Sequence, residues 1–308
     1  MLLNNVEFYI TNVCNLACDG CNRFNNYQFK GWQRWADYQD IYARWARELR
    51  IKNYIGILGG EPLLNPDYLE WLDGIRGLWP NIQINTVTNA YRLNQVRGLY
   101  DRLQSDRLLR LKIGIHNKSS KQLIFSNIRK FLTGPLNYNV DHSNRYQEKI
   151  HITDANGVKI LVEYNWWFHQ GSLQRNPQSG EFTLYESDQD LAHKNCSMKT
   201  CHTFHRGRLY KCGVAALLPE FDQQYPITLS PERRAIMLSY PGLDIDQTTE
   251  EKYQFVQELS NPIAQCQLCP ETYQGQQIAA LEKKVLFKLN DRKDADRFER
   301  QYNVRVCS

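Results

Sequence analysis

No apolar run in this chain of 308 residues comes near the roughly 20 residues needed to cross a bilayer. Met1 leads straight into a strand-like segment with no basic and apolar leader, so the expectation is a cytoplasmic protein without a membrane anchor. There is no low-complexity tract, and no internal repeat beyond an alternation of strands and helices, which argues against a solenoid. Charge excess is small: 38 Lys and Arg face 33 Asp and Glu, a net +5. With 42% hydrophobic and 23% charged residues the chain does not read as disordered. Its length suits one large α/β domain with a smaller appendage. Cysteine is the exception to this plainness. There are nine, an odd number, and most fall in close metal-type spacings, which argues against a disulfide-linked secreted protein.

The first group, Cys14, Cys18 and Cys21, directly follows the apolar run Val6 to Val13. Three thiols spaced by three and then two residues can converge from one tight loop on an iron-sulfur cube. They fill three of its four iron corners, and the open iron is what separates a chemical site from a staple. A structural zinc knuckle is the plainer alternative. Gly59-Gly60-Glu61-Pro62 closes the second strand-like segment at a matching place. Glu61 there can cap the following turn, or offer a carboxylate to an ammonium group that the glycines allow to approach. The CxxxCxxC spacing together with this GGEP resembles the signature of the radical S-adenosylmethionine (radical SAM) superfamily. That resemblance implies a [4Fe-4S] cluster on Cys14, Cys18 and Cys21 whose open iron chelates S-adenosylmethionine. Reductive cleavage of the cofactor then yields a 5'-deoxyadenosyl radical that takes hydrogen from a substrate. The superfamily usually has an aromatic residue before the third cysteine; here it is Gly20, and Phe24 and Tyr27 are the candidates for its place.

Strand and helix signals alternate along the first half: Glu7 to Val13, Trp32 to Leu49, Tyr54 to Leu58, and a helix Pro66 to Leu78 with Asn65 as N-cap. Ile82 to Val87 and Leu108 to Ile115 follow as strands, with helices around Asn94 to Leu103 and Lys121 to Phe131. Such alternation predicts a parallel sheet, with motifs past successive strand ends facing one mouth. Thr88, Asn89, His116 and Asn117 hold that position. By resemblance they meet the ribose and methionine portions of the cofactor, beside Gly59, Gly60, Glu61 and Pro62. Glu148 to Thr153, Asp154 to Gly157 and Val158 to Tyr164 give a hairpin signal, with Val158 to Tyr164 also eligible as a fifth barrel strand and Phe182 to Tyr185 as a sixth. Gln170 to Gly180 reads as a loop. The implied fold is α/β, a partial (βα)6 TIM-like barrel over residues 1–190.

Downstream lie Cys196, Cys201, Cys212, Cys266 and Cys269. The stretch between Cys201 and Cys212 reads as a hairpin turning at Arg206 and Gly207, which would set these two thiols opposite one another. The pattern resembles the twitch domain, the short form of the SPASM extension of radical SAM enzymes. It implies an auxiliary [4Fe-4S] cluster on residues 191–290, built on a hairpin and a helix. Five thiols compete for four corners; hairpin geometry favours Cys201, with Cys196 as the substitute. A zinc ribbon uses similar spacings. Gln276 to Leu289 reads as an amphipathic helix, and residues 291–308 as a charged tail ending near Cys307, a spare thiol or a hydrogen-atom donor.

The resemblance thus implies an enzyme with two [4Fe-4S] clusters and S-adenosylmethionine, performing oxidoreductase-type radical chemistry with a reducing donor of flavodoxin or ferredoxin type. The substrate is a peptide or a small molecule. Nucleic acid is the less favoured alternative, suggested by ten basic residues against two acids between Arg92 and Lys130. Trp166, Trp167, Phe168 and His169 are either core or substrate wall.

Overall fold

A computed structural model describes residues 1–18, 21–27, 29–116, 120–141, 149–164, 173–196 and 198–271. In chain order the elements are β1 (Leu2–Tyr9), α1 (Gln39–Glu48), β2 (Arg50–Leu58), α2 (Tyr68–Leu78), β3 (Gln83–Thr88), α3 (Leu99–Ser105), β4 (Leu109–Ile115), α4 (Lys121–Phe131) and β5 (Asn137–Asp141). Then come β6 (Lys149–Thr153), β7 (Lys159–Tyr164), β8 (Leu173–Arg175), β9 (Phe182–Leu184), α5 (Gln189–Asn195), β10 (His202–His205), β11 (Arg208–Tyr210), α6 (Gly213–Gln224), α7 (Pro231–Leu238) and α8 (Thr249–Glu258). The chain divides into two compact units, one from Met1–Ile82 with Phe168–Gln274, the other containing Gln83–Trp167. Both cysteine groups fall in the first unit.

In the first unit the strand order is β11-β10-β1-β2. β1 lies parallel to β2 on one side and to β10 on the other, with Phe8 opposite Ile57 and Phe204. The strand is central because its inward residues are large and apolar: Val6 and Phe8 are fully buried. Phe8 sits edge-on to Tyr42 of α1, Trp71 of α2 and Trp79, with ring centroids 4.9, 6.4 and 5.7 Å away, and Phe204 stands 5.1 Å off. Edge-to-face pairs of this kind add to the burial of area alone. α1 and α2 thus pack one face of β1 and β2. The indole N–H of Trp45 in α1 donates to the Gly207 carbonyl at 2.8 Å, tying the β10–β11 turn to the helix.

The second unit has the order β3-β4-β7-β6-β5. β3, β4 and β7 are parallel, and β7, β6 and β5 form an antiparallel meander. Val158 to Tyr164 therefore serves both expected roles, as a hairpin partner of β6 and as the next parallel strand after β4. Asp154 builds the turn: its Oδ1 accepts from the backbone N–H groups of Asn156 and Val158, and its Oδ2 from the Tyr100 hydroxyl at 2.6 Å.

Some expectations need correction. Phe182 to Leu184 is not a barrel strand: it pairs with β8 in a separate two-stranded ribbon, so part of the expected loop over Gln170 to Gly180 is strand. Phe182 turns to the aromatic rings of Tyr27, Phe221 and Tyr225 instead. The place beside β1 goes to β10, whose Thr203 and Phe204 are fully buried. Asn65 does not cap α2. It caps the preceding short turn, its Oδ1 accepting from Asp67 N–H and its Nδ2 donating to Ile10 and Gln33 carbonyls, and the helix starts at Tyr68. Neither strand set closes on itself among the described residues. No described helix is long and apolar enough to cross a membrane. The expectations for Gln276 to Leu289, Cys307, Asn117 and Trp166 to His169 lie outside the described residues.

Candidate functional site

The chain leaves β1 at Tyr9 and returns alongside itself twenty residues later. Asn12 N–H donates to Gly31 O at 2.8 Å, Gln33 N–H to Ile10 O at 2.9 Å, and Asn12 Nδ2 to Lys30 O at 2.9 Å. These bonds close the base of the loop that carries Cys14, Cys18 and Cys21. Within it Leu16 N–H donates to Cys14 Sγ at 3.4 Å, and Cys21 N–H to Cys18 O at 3.3 Å. Asn25, buried behind the loop, donates to Tyr9 Oη at 3.1 Å and to Asn12 O at 2.5 Å. The three thiols are half-buried. Burial pushes the Cys14 thiol up to about 11, helped by the neighbouring charges of Glu61 and Cys21.

Gly59 to Glu61 runs beside the start of this loop because the β1–β2 ladder continues past both strands. Ile10 N–H donates to Leu58 O, Gly60 N–H to Thr11 O at 2.7 Å and Glu61 N–H to Val13 O at 2.8 Å. Both glycines are required by contact. A Cβ on Gly59 would lie 2.8 Å from Thr11 Cγ2, and one on Gly60 would overlap the Val13 carbonyl. Glu61 is buried, and its Oε1 accepts from Leu63 N–H at 3.1 Å, so the capping role is real. Pro62 opens the short turn behind it. In the other unit Thr88 Oγ1 accepts from Ala90 N–H and Asn89 Oδ1 from Tyr91 N–H, so both side chains shape the turn after β3. His116 follows β4 directly. Phe24 is fully buried against Phe221, which makes its ring part of the core.

The second cysteine group assembles from three segments. Cys196 ends α5, and its Sγ accepts from Met198 N–H at 3.3 Å. β10 and β11 pair with Thr203 opposite Tyr210 and Phe204 opposite Leu209, and the same register continued outward sets Cys201 opposite Cys212. Cys212 immediately precedes α6 and makes no side-chain capping bond, so its thiol is not spent on the helix end. Cys266 lies in the short turn Ala264–Leu268 that packs on α5, and Cys269 N–H donates to Cys266 O at 3.1 Å. Burial raises the thiols of Cys196, Cys201 and Cys266, to about 12 for Cys201 and about 11 for Cys266. Cys212 is an electrostatic neighbour of all three. Among them lies Lys211, buried, its ammonium donating to Leu259 O; burial lowers its pKa against the pull of Cys266, Cys212 and Cys196. Among the described residues no three His, Cys, Asp or Glu side chains crowd closely enough to share one metal ion. Thiols around a four-iron cube stand farther apart than thiols around one zinc.

Residues 8–138 match the family model described as the radical SAM superfamily. Over that stretch the chain is similar to a radical SAM domain. Such domains use a [4Fe-4S] cluster and S-adenosylmethionine. No curated protein matches the chain. Among solved structures, that of Streptococcus suis SuiB bound to S-adenosylmethionine is similar at 22% identity over 40% of this chain and 27% of that one, with a TM-score of 0.33. SuiB bound to the precursor peptide SuiA is similar at 17% identity over 42% of this chain and 31% of that one, with a TM-score of 0.34. The match thus spans less than a third of the length of those chains.

Sequence reasoning missed the polar residues that hold the Cys14–Cys21 loop in place. Gln33 is buried; its Nε2 donates to Tyr9 O and to His205 Nδ1, and its Oε1 accepts from Arg206 N–H at 2.9 Å. The other His205 ring nitrogen, Nε2, lies 2.8 Å from Glu220 Oε2. Glu220 Oε1 also accepts from Asn12 Nδ2 at 2.9 Å and from Arg206 Nη2 at 2.8 Å. Burial works against this carboxylate, but the His205 hydrogen bond and the Arg206 charge outweigh it and bring its pKa down to about 2. Asn12, two residues before Cys14, was within reach of motif reading; Glu220, 208 positions on, was not.

Proposed function

We propose that this protein is a radical SAM enzyme in which Cys14, Cys18 and Cys21 hold the catalytic [4Fe-4S] cluster. The observation that carries the reading is the ladder from Gly60 and Glu61 to Thr11 and Val13, which holds the glycine run against the cysteine loop. When bound, the cluster and S-adenosylmethionine supply reductive cleavage of a sulfonium and a carbon radical for hydrogen abstraction. The rest is the protein's task of binding, orientation and water exclusion. Cys14, Cys18 and Cys21 would hold the cluster by three of its irons, leaving the fourth for the cofactor. Gly59 and Gly60 expose backbone where an amino acid portion is to be gripped, with the buried carboxylate of Glu61 and Pro62 behind them. Thr88, Asn89, His116 and Asn117 take the ribose and methionine portions. Cys201, Cys212, Cys266 and Cys269, with Cys196 as substitute, hold an auxiliary [4Fe-4S] cluster of twitch type that relays an electron or binds substrate. A flavodoxin or ferredoxin type donor reduces the enzyme. The substrate class is a peptide or a small molecule, the former supported by the twitch-like cysteine pattern.

The test is chemical. Anaerobically reduced protein given S-adenosylmethionine releases 5'-deoxyadenosine, and Cys18→Ala abolishes the release. Undiminished release from that variant would overturn the site.

A further inference from the structure

Arg23 stands two residues after Cys21, yet it is aimed at the other cysteine group. Its Nη2 donates to Glu7 Oε2 of β1 at 2.5 Å, and its guanidinium carbon lies 5.9 Å from the centre of the Tyr9 ring. The residue is 7% exposed. Its other terminal nitrogen, Nη1, is buried with no hydrogen-bond partner among the described residues. A buried guanidinium N–H without an acceptor is costly, and native structures leave few such groups unexplained. The direction of that nitrogen is given by Gly213, the residue after Cys212: a Cβ on Gly213 would overlap Nη1 and lie 2.7 Å from the guanidinium carbon. Cys201 lies within electrostatic reach of both Arg23 and Glu7. The sheet explains why. Glu7 pairs with Thr203, and Cys201, two residues earlier, falls on the same face by strand alternation.

We propose that Arg23 is the contact between the two cysteine groups, its Nη1 reserved for a sulfur of the cluster that Cys201 and Cys212 help to hold. This rests on the two-cluster reading above. The guanidinium stays charged at any working pH, so it offers a fixed donor and a fixed positive charge. Hydrogen bonds to cluster sulfurs and nearby net charge set reduction potentials. A cluster bound there would become more negative on one-electron reduction by the donor and would be held more strongly by Nη1, with the proton staying on Arg23. Arg23 thus raises the auxiliary potential from a position in the same loop as the catalytic thiols. It is a positioning residue, and it couples the geometry of one site to the redox poise of the other.

The experiment is a redox titration followed by electron paramagnetic resonance. In the full chain carrying Cys14→Ala, Cys18→Ala and Cys21→Ala, reconstituted with iron and sulfide, the remaining signal belongs to the auxiliary cluster. Arg23→Lys keeps the charge opposite Glu7 but removes the fork, and Gly213→Ala drives a methyl into the guanidinium without touching Arg23. Both are expected to shift the midpoint to more negative values and to alter the line shape, at unchanged iron content. Unchanged midpoints in both variants would overturn the inference and leave the two-cluster reading standing. If the triple alanine chain binds no iron and sulfide, that reading falls and this inference falls with it.

Discussion

Gly60 and Cys14 are packed so closely that a Cβ on the glycine would stand 2.9 Å from the Cβ of the cysteine. The second strand end and the thiol loop therefore leave no room for a side chain between them. Gly60→Ala is expected to destabilise by about 1–3 kcal/mol, the usual cost of overpacking, and to lower iron retained by the first cluster. Gly77, in α2 with nothing within 4 Å of its would-be Cβ, is the control. Gly77→Ala is expected to stabilise by about 0.5–1 kcal/mol in chemical denaturation.

Glu220 makes the stability of the loop network depend on pH. Its folded pKa of about 2 lies below its ordinary 4.5, so its contribution is fully present above 4.5 and is lost as pH falls toward 2. The wild type is expected to exceed Glu220→Gln by about 1–2 kcal/mol at neutral pH, allowing for solvent screening. The gap should narrow between pH 5 and pH 3 in circular dichroism melts. A gap independent of pH would contradict the assignment.

Gln33 serves three groups at once through its side chain. Beyond its side-chain bonds, its carbonyl accepts from Asn65 Nδ2 and from the Trp71 indole at 3.0 Å each. Gln33→Leu keeps the backbone bonds but strands Tyr9 O, Arg206 N–H and His205 Nδ1. The expected loss is about 2–4 kcal/mol in denaturation midpoints, far above that of an exposed glutamine such as Gln257.

The auxiliary thiols separate from the catalytic ones in the next comparison. Cys212→Ala is expected to lose about half of the iron and sulfide, since each cluster has about four irons, while 5'-deoxyadenosine release without substrate persists. Cys201→Ala should behave alike, and Cys196→Ala should retain the cluster. Full iron in Cys212→Ala would remove the auxiliary site.

Local patterns were legible in the sequence wherever a single segment decides its own geometry. The β10–β11 turn at Arg206 and Gly207, with φ values of 49° and 77°, is written in an Arg-Gly step, and α4 matches its apolar period from Lys121 to Phe131. The β6–β7 hairpin was legible through Asp154, whose carboxylate binds its own turn. What the sequence could not express was choice of neighbour. Phe182–Leu184 and His202–His205 are both short and neither is apolar throughout; Phe182 packs on the Phe221 and Tyr225 rings, and the place beside β1 goes to β10. The loop-holding network was hidden for the same reason: Asn12, Gln33, His205 and Glu220 meet across long stretches of chain and form no motif.

The central claim is that the Cys14, Cys18 and Cys21 cluster keeps one iron open for S-adenosylmethionine. Electron paramagnetic resonance of the reduced protein with and without that cofactor tests it most directly. Two [4Fe-4S] signals are expected, of which only the one lost on Cys14→Ala, Cys18→Ala and Cys21→Ala changes when S-adenosylmethionine is added. Signals indifferent to the cofactor, or a protein that takes up zinc without iron and sulfide, would contradict it.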